Sequence, residues 1–233
     1  MTNLEVIHED NHVLAVIKPA GMLVQADHTG DVSAIDLARS YLRKKYEKPG
    51  RVFLGLVHRI DRPVSGIVVF ARTSKAASRL TAAFRVRSVR RRYLAVVHGS
   101  PPRQRDTVRG FIARDGTASR FVFQSDPGAR EVQLEYSVIE RAGGFTLVEA
   151  EPVSGRHHQI RLQLSGEGCP VAGDVRYGAP GPLSDRTIAL HAARLRIPHP
   201  TRGETIDLAA SPPLRGPWKR FAAPLSDYFA RAR

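Results

Sequence analysis

Cysteine is almost missing: Cys169 is the only one in 233 residues. A lone thiol excludes an internal disulfide framework and fits a reducing, cytoplasmic setting. Zinc-ligand patterns of the CxxC and HExxH kinds are absent, and no metal is expected. The glycine loops that cradle phosphates, a P-loop or a GxGxxG turn, are absent too, and no cofactor is expected. No apolar run reaches the ~20 residues that cross a bilayer, and no basic amphipathic helix stands out, so no membrane partner is expected. Met1-Thr2-Asn3-Leu4-Glu5 has neither the basic flank nor the apolar core of a signal peptide. The last shortage is of acid. Asp plus Glu number 22 against 36 Lys plus Arg, a net charge of +14 with a pI near 10.8. Such a surplus attracts polyanions, and nucleic acid is the first partner to consider.

What is present is otherwise ordinary for a soluble protein, with 42% hydrophobic and 25% charged residues. The length suits one domain over 1–233 with a sizeable core. No repeat, low-complexity tract or linker interrupts it. Residues 4–7 and 13–17 read as a strand pair around a polar break. Residues 33–46 have helical spacing, with Ser33 as N-cap and Asp36 where a capping box has Glu or Gln. Residues 51–57 read as a strand-like approach, 67–71 as a short buried strand, and 74–86 as a helix capped by Thr73 or Ser74. Strand patterns follow at 93–99, 132–139 and 145–150, the last two joined at Gly143-Gly144. The polar stretch 100–130 reads as a hairpin excursion with mobile, basic loops. Helical spacing resumes from about Arg156 to Gly166. The tail over 212–233 reads as a docked helical segment split at Pro224, with Trp218, Phe221, Tyr228 and Phe229 as core aromatics.

Three segments hold candidate chemistry. In His58-Arg59-Ile60-Asp61-Arg62-Pro63-Val64-Ser65-Gly66 one carboxylate sits between two arginines on a loop delivered to a buried strand. By itself that is equally a surface salt-bridge cluster. The stretch 85–92 holds five arginines in eight residues, either a solvated surface or a contact for phosphates, whose oxygens fit Arg forks. In the third segment the adjacent His157-His158 invites a metal reading. Neighbours on a helix point roughly 100° apart and no carboxylate or thiolate is near in sequence, so that reading is set aside.

His58-Arg59-Ile60-Asp61 with Ser65-Gly66 resembles the catalytic motif of the RluA-type pseudouridine synthases, with Val64 where the family usually has Thr. Lys18-Pro19-Ala20-Gly21 resembles a Lys-Pro-x-Gly segment of the same family, although its residues alone say only that the chain turns there. Tyr93-Leu94-Ala95-Val96-Val97-His98-Gly99 is similar to the family's active-site tyrosine segment. Gly155-Arg156-His157-His158-Gln159-Ile160-Arg161 resembles its Gly-Arg-x-His-Gln-Ile-Arg motif, with Gln163 where members often have His. Residues 170–178 resemble a Pro-hydrophobic-x-Gly-Asp-x-x-Tyr-Gly segment, and 190–200 a further element. The matching segments run in order from about 18 to 200.

The resemblance implies an α+β fold with a long, mixed, mainly antiparallel central sheet flanked by helices and an active cleft across its middle. It implies isomerisation of uridine to pseudouridine in a structured transfer or ribosomal RNA stem-loop. Asp61 is then the catalytic carboxylate, Arg161 its ion-pair partner, and Tyr93 the residue that stacks on the base. Arg59 fills the space left by a flipped uridine. His58 and Ile160 lie on the substrate side, and Arg62, Arg90, Arg91 and Arg92 meet phosphates. No S4-like RNA-binding module is expected before Asn11. No obligate protein partner is expected, and monomer is the default. Two other classes stand beside this one: a non-catalytic RNA-binding or ribosome-associated protein on the same scaffold, and a base-releasing glycosylase using the same carboxylate.

Overall fold

The structure is a computed structural model and describes residues 4–230. Along the chain run β1 (Glu5–Glu9), β2 (Val13–Lys18), α1 (Ala34–Lys45), β3 (Gly55–Leu56), β4 (Ser65–Ala71), α2 (Ser74–Arg85), β5 (Arg90–His98), β6 (Arg105–Asp115), β7 (Ala118–Val122), β8 (Arg130–Ala142), β9 (Phe145–Pro152), α3 (Gln159–Gly166), β10 (Leu190–Pro198), β11 (Thr205–Ala209) and α4 (Ala222–Ala230). Short 3-10 turns occupy Val175–Tyr177 and Gly216–Phe221. The class is α+β, as the resemblance implied. The chain through Arg90 forms one compact unit with Ala192–Ala210, and Arg91–His191 forms another with the residues from Ser211 onward. No described helix is long and apolar enough to cross a membrane.

In the first unit β2 and β4 pair antiparallel from Val13↔Ala71 to Lys18↔Gly66, and β1 pairs antiparallel with β2. β10 follows β4 in strand order and pairs antiparallel with β11. Every residue of β4 is buried, which explains a continuous apolar run where a half-exposed strand would alternate. Ile67, Val69 and Ala71 pack with Val13 and Ala15 and with Ala76, Leu80 and Ala83 of α2. At Gly66 (φ +121) the backbone of β4 comes so close to Ala192 that a Cβ would run into it. The expected strand over 51–57 shrinks to the two residues of β3, paired with the far end of β4.

Both helices of this unit start where expected. The Thr73 hydroxyl accepts from the Ala76 N–H at 3.1 Å. The capping box at α1 does not form: Ser33 Oγ donates to the Asp36 carboxylate at 2.6 Å and caps no backbone N–H. Asp is one methylene shorter than the Glu of a true box, and its carboxylate meets the hydroxyl instead. α1 is fastened to β1 through Glu9, which accepts from Tyr46 at 2.6 Å, Lys45 at 2.7 Å, Tyr41 at 2.8 Å and Arg72 at 3.1 Å.

The second unit is an antiparallel sheet in the order β5-β9-β8-β6-β7. Residues 100–130 form the expected hairpin, β6 with β7, but as longer paired strands than the loop-rich stretch suggested. β6 pairs with β8 from Arg105↔Ser137 to Ile112↔Arg130, and its arginines Arg105, Arg109 and Arg114 are exposed. Ile112 and Val132 pack with Leu162 of α3 and with Tyr177. α3 begins at Gln159, later than Arg156, because His158 takes a left-handed conformation (φ 54) just before it. Pro224 does not split the tail either. It sits in the first turn of α4, where a missing N–H leaves no helical bond unmade, and the break falls after Phe221, at the end of the 3-10 turn. Trp218 and Phe221 are buried as expected.

Burial alone would raise the pKa of Glu9; the hydrogen bonds from Lys45, Tyr46 and Tyr41 outweigh it and hold the carboxyl down to about 2. A depressed carboxyl stabilises the fold above its unfolded pKa near 4.5, and that contribution disappears as pH falls to about 2. Glu9→Gln is therefore expected to cost about 2 kcal/mol at pH 7. In urea denaturation the gap to wild type should close as pH falls from about 4.5 towards 2.

Candidate active site

In the first unit the polar loop before β4 is tied down at both ends. His58 Nε2 accepts the Val69 N–H at 2.9 Å, and its ring stacks on Phe84 with centroids 4.8 Å apart. His58, expected on the substrate side, thus anchors the loop to the strand it feeds. Asp61 is half-buried, and its carbonyl accepts the Val64 N–H at 3.0 Å to close a turn. Val64 is itself buried, so the hydroxyl this chain lacks there would point into the core. Arg62, expected on phosphates, is exposed and grips the loop. Its Nε donates to the Gly21 carbonyl at 3.0 Å, its Nη2 to Asp31 at 2.5 Å, and its carbonyl accepts the Gly21 N–H at 2.8 Å. Arg59 is exposed.

Lys18 is the residue the sequence reading passed over. It is fully buried, and its ammonium donates to the carbonyls of Met22 at 2.7 Å, Pro19 at 2.9 Å and Arg62 at 3.2 Å. Burial pushes its pKa down to about 7; the Asp61 charge works against that and the Arg62 charge with it. The ammonium and the Asp61 carboxylate therefore act on each other electrostatically. The signal was visible as Lys-Pro-x-Gly, but nothing local says that such a lysine turns inward.

Three arginines of the basic stretch belong to a strand. Arg90, Arg91 and Arg92 open β5. Arg92 Nε donates to Glu151 at 3.1 Å, and Nη1 lies 3.9 Å from Glu149. Burial lowers its pKa, but those two carboxylates more than compensate and raise it. Arg91 Nη2 reaches the Pro152 carbonyl at 3.5 Å. Both arginines thus serve the sheet, which leaves Arg90 as the exposed one of the three. Tyr93 follows, half-buried and paired with Ala150 of β9. Ile160 is buried in α3.

Arg161 forms a buried bidentate pair with Asp174, Nε to Oδ2 at 2.6 Å and Nη2 to Oδ1 at 2.8 Å. Its guanidinium lies 5.0 Å from the centre of the Tyr177 ring. The Tyr177 hydroxyl meets His158 Nδ1 at 2.8 Å and accepts the Ser119 N–H at 2.8 Å. Burial first, then the charge of Arg161, pushes His158 down to about 3, so its ring is neutral at pH 7. His157 stacks on it at 3.7 Å. The two rings precede the helix, so the helical argument used against a metal does not apply to them. Among the described residues no group of three or more His, Cys, Asp or Glu could hold a metal ion. Gln163 is fully buried and donates to the Val108 carbonyl at 2.9 Å, so its place is a brace between α3 and β6. Asp174 and Tyr177 also went unassigned in the sequence, although both stand in the Gly-Asp-x-x-Tyr-Gly segment.

A family profile described as RNA pseudouridylate synthase matches residues 12–166. The chain belongs to this family. The match takes in the Asp61, Tyr93 and Arg161 segments and ends before Asp174. A ribosomal large subunit pseudouridine synthase C of Vibrio parahaemolyticus is 32% identical over 211 residues, covering 88% of this chain and 64% of that protein. A ribosomal large subunit pseudouridine synthase D of Zymomonas mobilis is 33% identical over 220 residues, covering 90% and 69%. The chain thus spans less than two thirds of the Vibrio relative. Human RNA pseudouridylate synthase domain containing 1 superposes with a TM-score of 0.73 at 26% identity, covering 91% of this chain and 85% of that one. The human domain containing 4 gives 0.78 at 24%, covering 95% and 93%. The fold is that of the pseudouridine synthases.

Replacing the Lys18 ammonium leaves three loop carbonyls without their donor. Lys18→Met is expected to lose about 3 kcal/mol at pH 7, measured by chemical denaturation. The folded lysine releases its proton near pH 7, while the unfolded one holds it to about 10.5. Wild-type stability should therefore rise relative to Lys18→Met between those pH values.

Proposed function

We propose that the chain isomerises uridine in RNA to pseudouridine, with Asp61 as the catalytic carboxylate. The observation that carries this reading is the family match over residues 12–166, which includes the whole His58–Gly66 motif. The surplus of 14 positive charges supports a polyanionic substrate. The reaction breaks the N1–C1′ bond, turns the uracil and rejoins it through C5. The C5 proton leaves, N1 gains one, and no electrons are transferred overall, so the reaction needs no redox partner. Asp61 attacks C1′ or removes the 2′ proton, and either step needs it ionised. Arg161 is its ion-pair partner and aims it. Tyr93 stacks on the target base, and its phenol takes the C5 proton. The uridine must leave the RNA stack to be reached, and Arg59 fills the space behind it. Large-subunit ribosomal RNA is the first substrate to test, because the names of the bacterial relatives point to it; transfer RNA is the second.

The deciding experiment maps pseudouridine at single-nucleotide resolution in RNA from cells lacking the gene, rescued with wild type or Asp61→Asn. A site present with wild type and absent with the variant is the expected result. An unchanged map with both would overturn the enzymatic reading and favour a non-catalytic RNA-binding protein; free uracil and an abasic strand would favour a glycosylase. Arg161→Met is expected to abolish turnover while RNA affinity changes by less than about tenfold, roughly 1.4 kcal/mol. Equal loss of both would make Arg161 a phosphate contact instead.

A further inference from the structure

Arg161 is held along one edge and packed against a tyrosine ring before any substrate is considered. Its Nε–Nη2 edge is taken by the two oxygens of Asp174, and both side chains are buried, at 6% and 2% exposure. A side-on bidentate pair fixes the plane of a guanidinium as well as its distance. Tyr177 packs against the same group, with the guanidinium carbon 5.0 Å above the ring centre.

Tyr177 is in turn held at its hydroxyl. That oxygen accepts the Ser119 N–H, which leaves its own proton to donate to His158 Nδ1. The donation requires Nδ1 to be unprotonated, as a neutral ring with its proton on Nε2 provides. His158 adopts this position at the cost of a left-handed backbone, φ 54, that a non-glycine residue takes up only when its surroundings over-determine it. Ser165 Oγ adds a bond to the Tyr177 carbonyl at 2.6 Å. The shell behind Arg161 thus draws on β7, on the residues before α3, on α3 itself and on the turn at Val175–Tyr177.

Buried ion pairs are poor stabilisers, because desolvation offsets their attraction. So many contacts around one guanidinium are better explained by orientation. With the Nε–Nη2 edge occupied, a second carboxylate can meet this guanidinium with two parallel bonds only across its Nη1–Nη2 edge. We propose that Asp174 is a positioning residue: with Tyr177 and His158 it clamps the plane of Arg161 so that the Nη1–Nη2 edge presents two parallel N–H donors to the catalytic carboxylate. This rests on the reading of Arg161 as the partner of Asp61. The clamp sets the rate of the chemical step and leaves RNA affinity alone.

The test compares wild type, Asp174→Asn, Tyr177→Phe and Arg161→Met for kcat, KM and RNA Kd, per folded molecule as judged by thermal melting. Asp174→Asn turns an amide N–H₂ against one guanidinium N–H, and kcat is expected to fall about 10²-fold, the scale of a misplacement of about 1 Å. KM and Kd should stay within about threefold. Tyr177→Phe keeps the ring and removes only the hydroxyl, so its kcat should fall about tenfold. It decides the question if Asp174→Asn does not fold. Wild-type kcat in folded Tyr177→Phe and Asp174→Asn, with Arg161→Met inactive, would overturn the clamp and leave the reading of Arg161 standing. Undiminished turnover by Arg161→Met would overturn that reading itself, and the clamp with it. A KM or Kd that rises as much as kcat falls would also overturn the clamp, since Asp174 would then be shaping the RNA contact.

Discussion

A buried ammonium is the constraint on which the first unit depends. Lys18 ends β2, and its side chain turns inward to gather three carbonyls, one of them from Arg62 in the loop that carries Asp61. An uncompensated cation in that position would be costly, and burial does depress its pKa. The carbonyl cage and the charge of Asp61 are what keep it there. The loop is thereby fixed from below by Lys18, from the strand side by His58 on Val69, and from outside by Arg62 on Gly21 and Asp31. Gly66 completes the arrangement, because only a residue without Cβ lets β4 pass so close to the backbone of Ala192.

The second unit solves a similar problem with the opposite chemistry. Arg161 sits on α3 and is balanced by a carboxylate, Asp174, on the turn that follows. Where Lys18 uses a compact ammonium to draw in scattered carbonyls, Arg161 uses a planar fork that has a definite edge and face. The lysine suits fastening a loop of irregular backbone. The arginine suits aiming, since the same group can hold one carboxylate and present a second edge.

The charge surplus is divided between two tasks. Arg72, Arg91, Arg92 and Arg161 are at least half-buried and occupied with carboxylates or carbonyls of their own unit. Arg59, Arg85, Arg87 and Arg90 are exposed in the first unit, and Arg105, Arg109, Arg114 and Arg120 in the second. The exposed set, not the dense run as a whole, is what a polyanion would meet. Counting arginines along the chain could not separate the two sets, because β5 places Arg92 opposite acidic residues of β9 that lie far away in sequence.

By itself the sequence determined the buried strand β4, the helix α2 with its Thr73 cap, and the motifs that mark the family and, through them, its fold. Each of these depends on residues within a few positions of one another, where period and capping are read directly. The pairing of residues 105–112 with β8, the late start of α3 and the intact α4 around Pro224 were decided by tertiary packing and by one left-handed histidine. The partners of the candidate site were decided there too. Lys18 meets Arg62 across 44 positions and Arg161 meets Asp174 across 13. Which of many carboxylates and carbonyls a buried cation takes depends on which are desolvated together, and only the packed chain decides that.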